Sequence, residues 1–190
     1  GAGRPGGLGT RRMNQAAVDT LRLQPVPDQG LLIDGQTVPA HAGETLAVLS
    51  PIDGQRLCSL SAARDSDVDR AVAAARRSFE QGVWSRRAPA ERKKVLHRIA
   101  DAIEREQLEL AVLGVRDNGT EISMALKAEP GSAAGTFRYY AELVDKIQGE
   151  IAATADSVLG LVHKEPVGVV AAIVPWNFPL MIGAWKLAPA

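Results

Sequence analysis

The stretch Val167-Gly168-Val169-Val170-Ala171-Ala172-Ile173-Val174-Pro175-Trp176-Asn177-Phe178-Pro179 decides the fold class. Its opening run is apolar or glycine throughout and rich in β-branched side chains, the composition of a strand covered on both faces in a parallel sheet. From Phe178 the period changes. Phe178, Ile182 and Trp185 recur at i, i+4 and i+7, which places them on one face of a helix. Strand, tight loop and helix form the first part of a βαβ unit, so an α/β fold with the start of a parallel sheet is expected over residues 167–190.

Ligands of open α/β sheets bind just beyond the carboxyl ends of the strands, where the 175–179 loop would lie. Asn177 is the polar exception in that loop. Pro175 and Pro179 bias Val174 and Phe178 toward extended backbone, so the loop has few shapes and the Asn177 amide is aimed. Two uses of an aimed amide stand side by side. It can donate to an oxyanion in a site that excludes water, or it can cap the helix that follows, with Trp176 and Phe178 as anchors in the core.

Upstream, Phe137, Tyr140, Ala141, Val144 and Ile147 give a helical face closed by Gly149. Pro89 suits the first turn of a helix whose stripe runs through Val95, Leu96, Ile99 and Ile103. The stripe resumes at Leu108 after a step that implies a break, and Asn118-Gly119 offers its stop. Ser66 with Asp69 resembles a capping box, and Val68, Ala71, Val72, Ala75 and Phe79 predict an amphipathic helix ending near Gly82. Residues 31–61 alternate short apolar runs with turn residues. Asp34-Gly35 predicts a hairpin, and Pro51-Ile52-Asp53-Gly54 a turn between two further strands.

Residues 1–28 read as a flexible leader or tag, rich in glycine and ending with Pro25 and Pro27. Gly1, Gly3 and Gly6 spell G-x-G-x-x-G, but no strand precedes them and Pro5 interrupts them, so no phosphate loop is expected. The remaining divisions are 29–152 for hairpins and helices, 153–166 for a bridging strand and 167–190 for the strand-loop-helix.

Composition narrows the function classes. Over 190 residues, 22 Lys and Arg balance 22 Asp and Glu, leaving no net field to attract nucleic acid. The longest apolar run falls well short of the roughly 20 residues that cross a bilayer, so no membrane partner is expected. Cys58, the only cysteine, excludes an intrachain disulfide and reads as a buried inert thiol; cytoplasm is the default compartment. His41, His97 and His163 lack ligands at metal-binding spacing, so no metal is expected.

Lys164-Glu165-Pro166-Val167-Gly168-Val169-Val170, Ile173 to Pro179 and Ala184-Trp185-Lys186-Leu187-Ala188-Pro189-Ala190 resemble the aldehyde dehydrogenase superfamily. Ser50 to Gly54, Asp67-Val68-Asp69 and Arg116 to Gly119 fall in the same order, so the resemblance covers about residues 31–190. It implies the N-terminal part of that fold, with antiparallel hairpins, several helices and the start of a Rossmann-like sheet. It also implies oxidation of an aldehyde, an amino aldehyde being one candidate, with NAD or NADP, in a homodimer or homotetramer built through an extended hairpin. Asn177 matches the oxyanion donor; Ile173, Val174, Pro175, Trp176 and Asn177 match the cofactor edge; Phe178, Ile182 and Trp185 match the wall of the substrate tunnel.

The family's nucleophilic cysteine, catalytic glutamate, second cofactor motif and ribose-binding lysine are expected beyond Ala190, so this chain alone is expected to be inactive. Cys58 does not occupy the nucleophile's place. Thr120-Glu121 stands where many relatives carry Lys-Pro, which weakens a subfamily assignment. Two other readings remain open: a truncated paralogue acting as an assembly or binding module, and a coenzyme-A-acylating or semialdehyde-specific member.

Overall fold

The structure is a computed structural model that describes residues 14–190; the glycine motif of the first residues lies outside that range. Asn14 accepts from the Ala17 amide and caps helix α1 (Gln15–Leu23). The irregular leader expected to residue 28 therefore does not extend over residues 14–28. Arg116 donates to the Gln24 carbonyl at 2.7 Å, and the Asp28 carboxylate accepts the Ser59 amide at 2.6 Å. Fixed partners distant in sequence override the local Pro and Gln composition.

Strands β1 (Leu31–Ile33) and β2 (Gln36–Val38) form the expected hairpin. Asp34 (φ 53°) and Gly35 (φ 74°) supply the two left-handed positions of its turn. Strands β3 (Thr45–Leu49) and β4 (Arg56–Ser61) pair antiparallel with Val48 opposite Cys58. Their turn closes through a Gly54 amide bond to the Ser50 carbonyl at 2.8 Å.

Helix α2 (Asp65–Gln81) ends at Gly82 as expected, but its start differs. Arg64, not Ser66, is the N-cap. Asp67 at N3 turns back to accept the amides of Arg64 and His41, each at 3.1 Å, and is 1% exposed. Its stripe is also only partly inward: Ala71 and Phe79 are half-buried, whereas Val68, Val72 and Ala75 are exposed. Among the described residues the substantial contact of α2 is with β1 alone, so most of the stripe has nothing to cover it.

Pro89 opens α3 (Pro89–Arg105), and the expected break falls at Glu106 before α4 (Gln107–Asn118). Then come α5 (Ile122–Leu126), a π-helical turn (Lys127–Gly131) and α6 (Ser132–Leu143). Pro130 lies inside the π turn and has no N–H to continue the α-helical ladder, the kind of interruption that widens a helix locally. The face expected to continue to Ile147 stops at Leu143, and Ile147 is exposed.

Strands β5 (Glu150–Ala152) and β6 (Gly160–Val162) form a third antiparallel hairpin, which begins before the expected boundary at residue 153. The 167–174 run has no regular secondary structure and takes no sheet pairing among the described residues; Val167 is 89% and Ile173 92% exposed. The covered central strand expected there is thus not formed. A strand needs neighbouring donors and acceptors, and the described sheets are three separate two-stranded hairpins.

The main core joins α3 and α6 to helix α7 (Pro179–Leu187). Leu96 and Ala100 meet Ala133, Phe137 and Ala141, with Ala184 and Ala188 closing the cluster. The small alanine side chains let the helices pack closely in this cluster.

Candidate active site

The 175–178 loop runs directly into helix α7, which is packed on the core. Helix α7 presses Ala184 (2% exposed) onto α6, which anchors the chain immediately after the loop. With about 3.6 residues per turn, Phe178, Ile182 and Trp185 then lie roughly a quarter turn round the helix from Ala184 and Ala188. Phe178 and Ile182 are half-buried and Trp185 is half-exposed, so the three residues flank the core-facing alanines on the more accessible side of the helix.

The loop itself is open. Ile173 and Trp176 (82% exposed) and the partly covered Val174 form an apolar edge with Pro175, and Asn177 is exposed at its end. These are the residues that could hold a dinucleotide, whose binding would remove their apolar area from water.

Asn177 does not cap α7. Phe178 is the N-cap and contributes no side-chain hydrogen bond, while the Met181 amide, third in the helix, donates to Glu129 Oε2 at 2.8 Å. The capping alternative is thereby removed, and among the described hydrogen bonds Asn177 takes part only through its main-chain carbonyl. That carbonyl accepts from Asn118 Nδ2 at 3.1 Å.

Asn118 ends α4, and Gly119 (φ 76°) turns the chain away behind it. The Thr120 amide donates to Asn118 Oδ1 at 2.9 Å, which fixes the amide plane so that its nitrogen points to Asn177. Sequence reading took Asn118-Gly119 as a helix stop and as part of the family resemblance, and gave the Asn118 side chain no role. It missed Glu129 altogether, a carboxylate 3% exposed in the π turn between α5 and α6.

Cys58 lies in β4, 7% exposed, and burial pushes its thiol up from the ordinary range, helped by the nearby Asp28. A thiolate nucleophile needs the opposite environment. Among the described residues no group of three or more His, Cys, Asp or Glu could hold a metal ion, and no helix is long and apolar enough to cross a membrane.

The arrangement of hairpins and helices is shared with known proteins. Residues 38–190 match the model of the aldehyde dehydrogenase family, and the chain belongs to that family. It is 44% identical over 160 residues to the NADP/NAD-dependent aldehyde dehydrogenase PuuC of Escherichia coli, which covers 84% of this chain and 32% of that protein. The indole-3-acetaldehyde dehydrogenase AldA of P. syringae, solved with NAD+ and IAA, superposes with a TM-score of 0.88 at 42% identity, over 93% of this chain and 36% of that one. A gamma-glutamyl-gamma-aminobutyraldehyde dehydrogenase from Burkholderia cenocepacia gives a TM-score of 0.87 at 40% identity, over 92% of this chain and 35% of that one. The chain thus spans about a third of the length of these relatives.

Proposed function

We propose that this chain is the oxyanion-binding and cofactor-edge portion of an NAD(P)-dependent enzyme that oxidises an aldehyde to its carboxylic acid. The observation that carries the reading is the Asn177 side chain, free of any capping role while its backbone is fixed by Asn118. An aldehyde oxygen placed before that amide accepts a hydrogen bond that strengthens as the oxygen gains negative charge. A donor held in place this way contributes about 2.7–4 kcal/mol to the transition state.

Ile173, Val174, Pro175 and Trp176 would hold the dinucleotide against the loop, and the bound nicotinamide supplies the hydride acceptor. Phe178, Ile182 and Trp185 would receive the non-reacting part of the aldehyde. An amino aldehyde is the favoured substrate class, supported by likeness to the aminobutyraldehyde enzyme. Cys58 is buried and its thiol pushed up, so the chain by itself is inferred to turn nothing over.

Homo-oligomerisation through the β5–β6 hairpin is supported by its outward apolar side chains, Ile151 at 75% and Leu161 at 69% exposure. Leu161→Lys should lower the oligomeric mass in sedimentation, and an unchanged mass would place the interface elsewhere. Cytoplasmic residence is the accompanying expectation, which imaging of a tagged full-length protein would check.

The test is production of NADH or NADPH by the purified full-length protein with a panel of aldehydes. Turnover with amino aldehydes supports the whole reading. Turnover confined to other aldehydes removes the substrate class, and no reduction of either dinucleotide removes the function.

A further inference from the structure

The loop that carries Asn177 begins a helix whose own N-cap has no polar side chain. The Phe178 side chain cannot accept a hydrogen bond, and Pro179 at the first helical position leaves the Leu180 and Met181 amides as the first donors of α7. Glu129 reaches the second of these from the π turn. Its Oε2 accepts the Met181 amide at 2.8 Å, across 52 residues of sequence, and its Oε1 is buried with no partner among the described residues. A carboxylate is favoured at that place because the first turn of a helix carries partial positive charge.

We propose that Glu129 is a positioning residue for Asn177: it supplies from another element the cap that α7 lacks, and so fixes the turn from which the Asn177 amide projects. The inference rests on the oxyanion reading for its consequence in catalysis, but not for its structural claim. The π turn gives the carboxylate its reach. Glu129 is 3% exposed and the neighbouring Pro130 is fully buried, so the group sits on a rigid base and not on a mobile side chain. Small errors in the position of a reacting group are costly, up to about a hundredfold in rate for roughly an ångström.

Hydrogen exchange of the full-length protein, followed with turnover, tests this directly. Glu129→Ala should speed exchange at Met181 and along residues 176–182 while leaving α3 and α6 protected. Glu129→Gln, which keeps an acceptor oxygen, should restore that protection. Turnover of Glu129→Ala should fall about ten- to hundredfold with the KM for the dinucleotide little changed. Combined with Asn177→Ala it should add little to the single loss, because the two act through one group.

Unchanged exchange at Met181, or exchange raised equally in α3 and α6, would overturn the proposal. If Asn177→Ala were itself without effect on turnover, the oxyanion reading would fail, and the exchange measurement would still decide the role of Glu129.

Discussion

The side-chain amide of Asn118 donates to the main-chain carbonyl of Asn177 at 3.1 Å, joining the end of α4 to the loop ahead of α7 across 59 residues of sequence. The same side chain accepts the Thr120 amide, so one residue both terminates a helix and orients a loop distant from it.

Asn118→Asp separates those tasks. Aspartate keeps the acceptor for Thr120 and loses the donor to Asn177, so the melting temperature should fall by no more than a few degrees while turnover of the full-length enzyme falls severalfold. The net value of such a bond is about 0.5–1.5 kcal/mol, which sets the scale. Steady-state kinetics beside thermal denaturation make the check, and a kinetically silent variant would show that the tether does not aim the loop.

Much of this framework was legible in the sequence because its signals are local. Asp34-Gly35, Gly82, Pro89 and Asn118-Gly119 dictate backbone angles or hydrogen-bond stops within a few residues, and each falls where expected. What escaped depends on distant partners. Glu129 reads as one more surface carboxylate until α7 is folded onto the π turn, and α1 was hidden by a glycine- and proline-bearing flank. The 167–174 run erred in the opposite sense: its composition records a sheet environment that the described residues do not supply.

Asp67 makes stability depend on acid. Hydrogen bonds from the Arg64 and His41 amides outweigh burial and hold its carboxyl below the usual range of about 3.9. A depressed folded value means that its stabilising contribution is present above the unfolded value and is lost as pH falls through the folded one. Asp67→Asn should therefore melt a few degrees lower at neutral pH, and the gap should narrow as the pH drops below about 4. A gap that stays constant in melting curves across that range would remove the ionised carboxylate from the account.

Cys58 should behave as a filler of the β4 core. Alkylating reagents should label it slowly in the native protein and rapidly in denaturant, as its burial and raised thiol value require. Cys58→Ala should leave turnover of the full-length enzyme unchanged. Fast native labelling together with lost turnover would make this thiol a reacting group, contrary to its surroundings.

Turnover of Asn177→Ala in the full-length enzyme tests the central claim most directly, measured with a saturating aldehyde and both dinucleotides. The account predicts a loss of about a hundred- to a thousandfold in kcat, with the KM for the dinucleotide close to that of the unaltered enzyme. A variant that turns over as fast as the unaltered enzyme would contradict it and return Asn177 to a loop residue without a part in the chemistry.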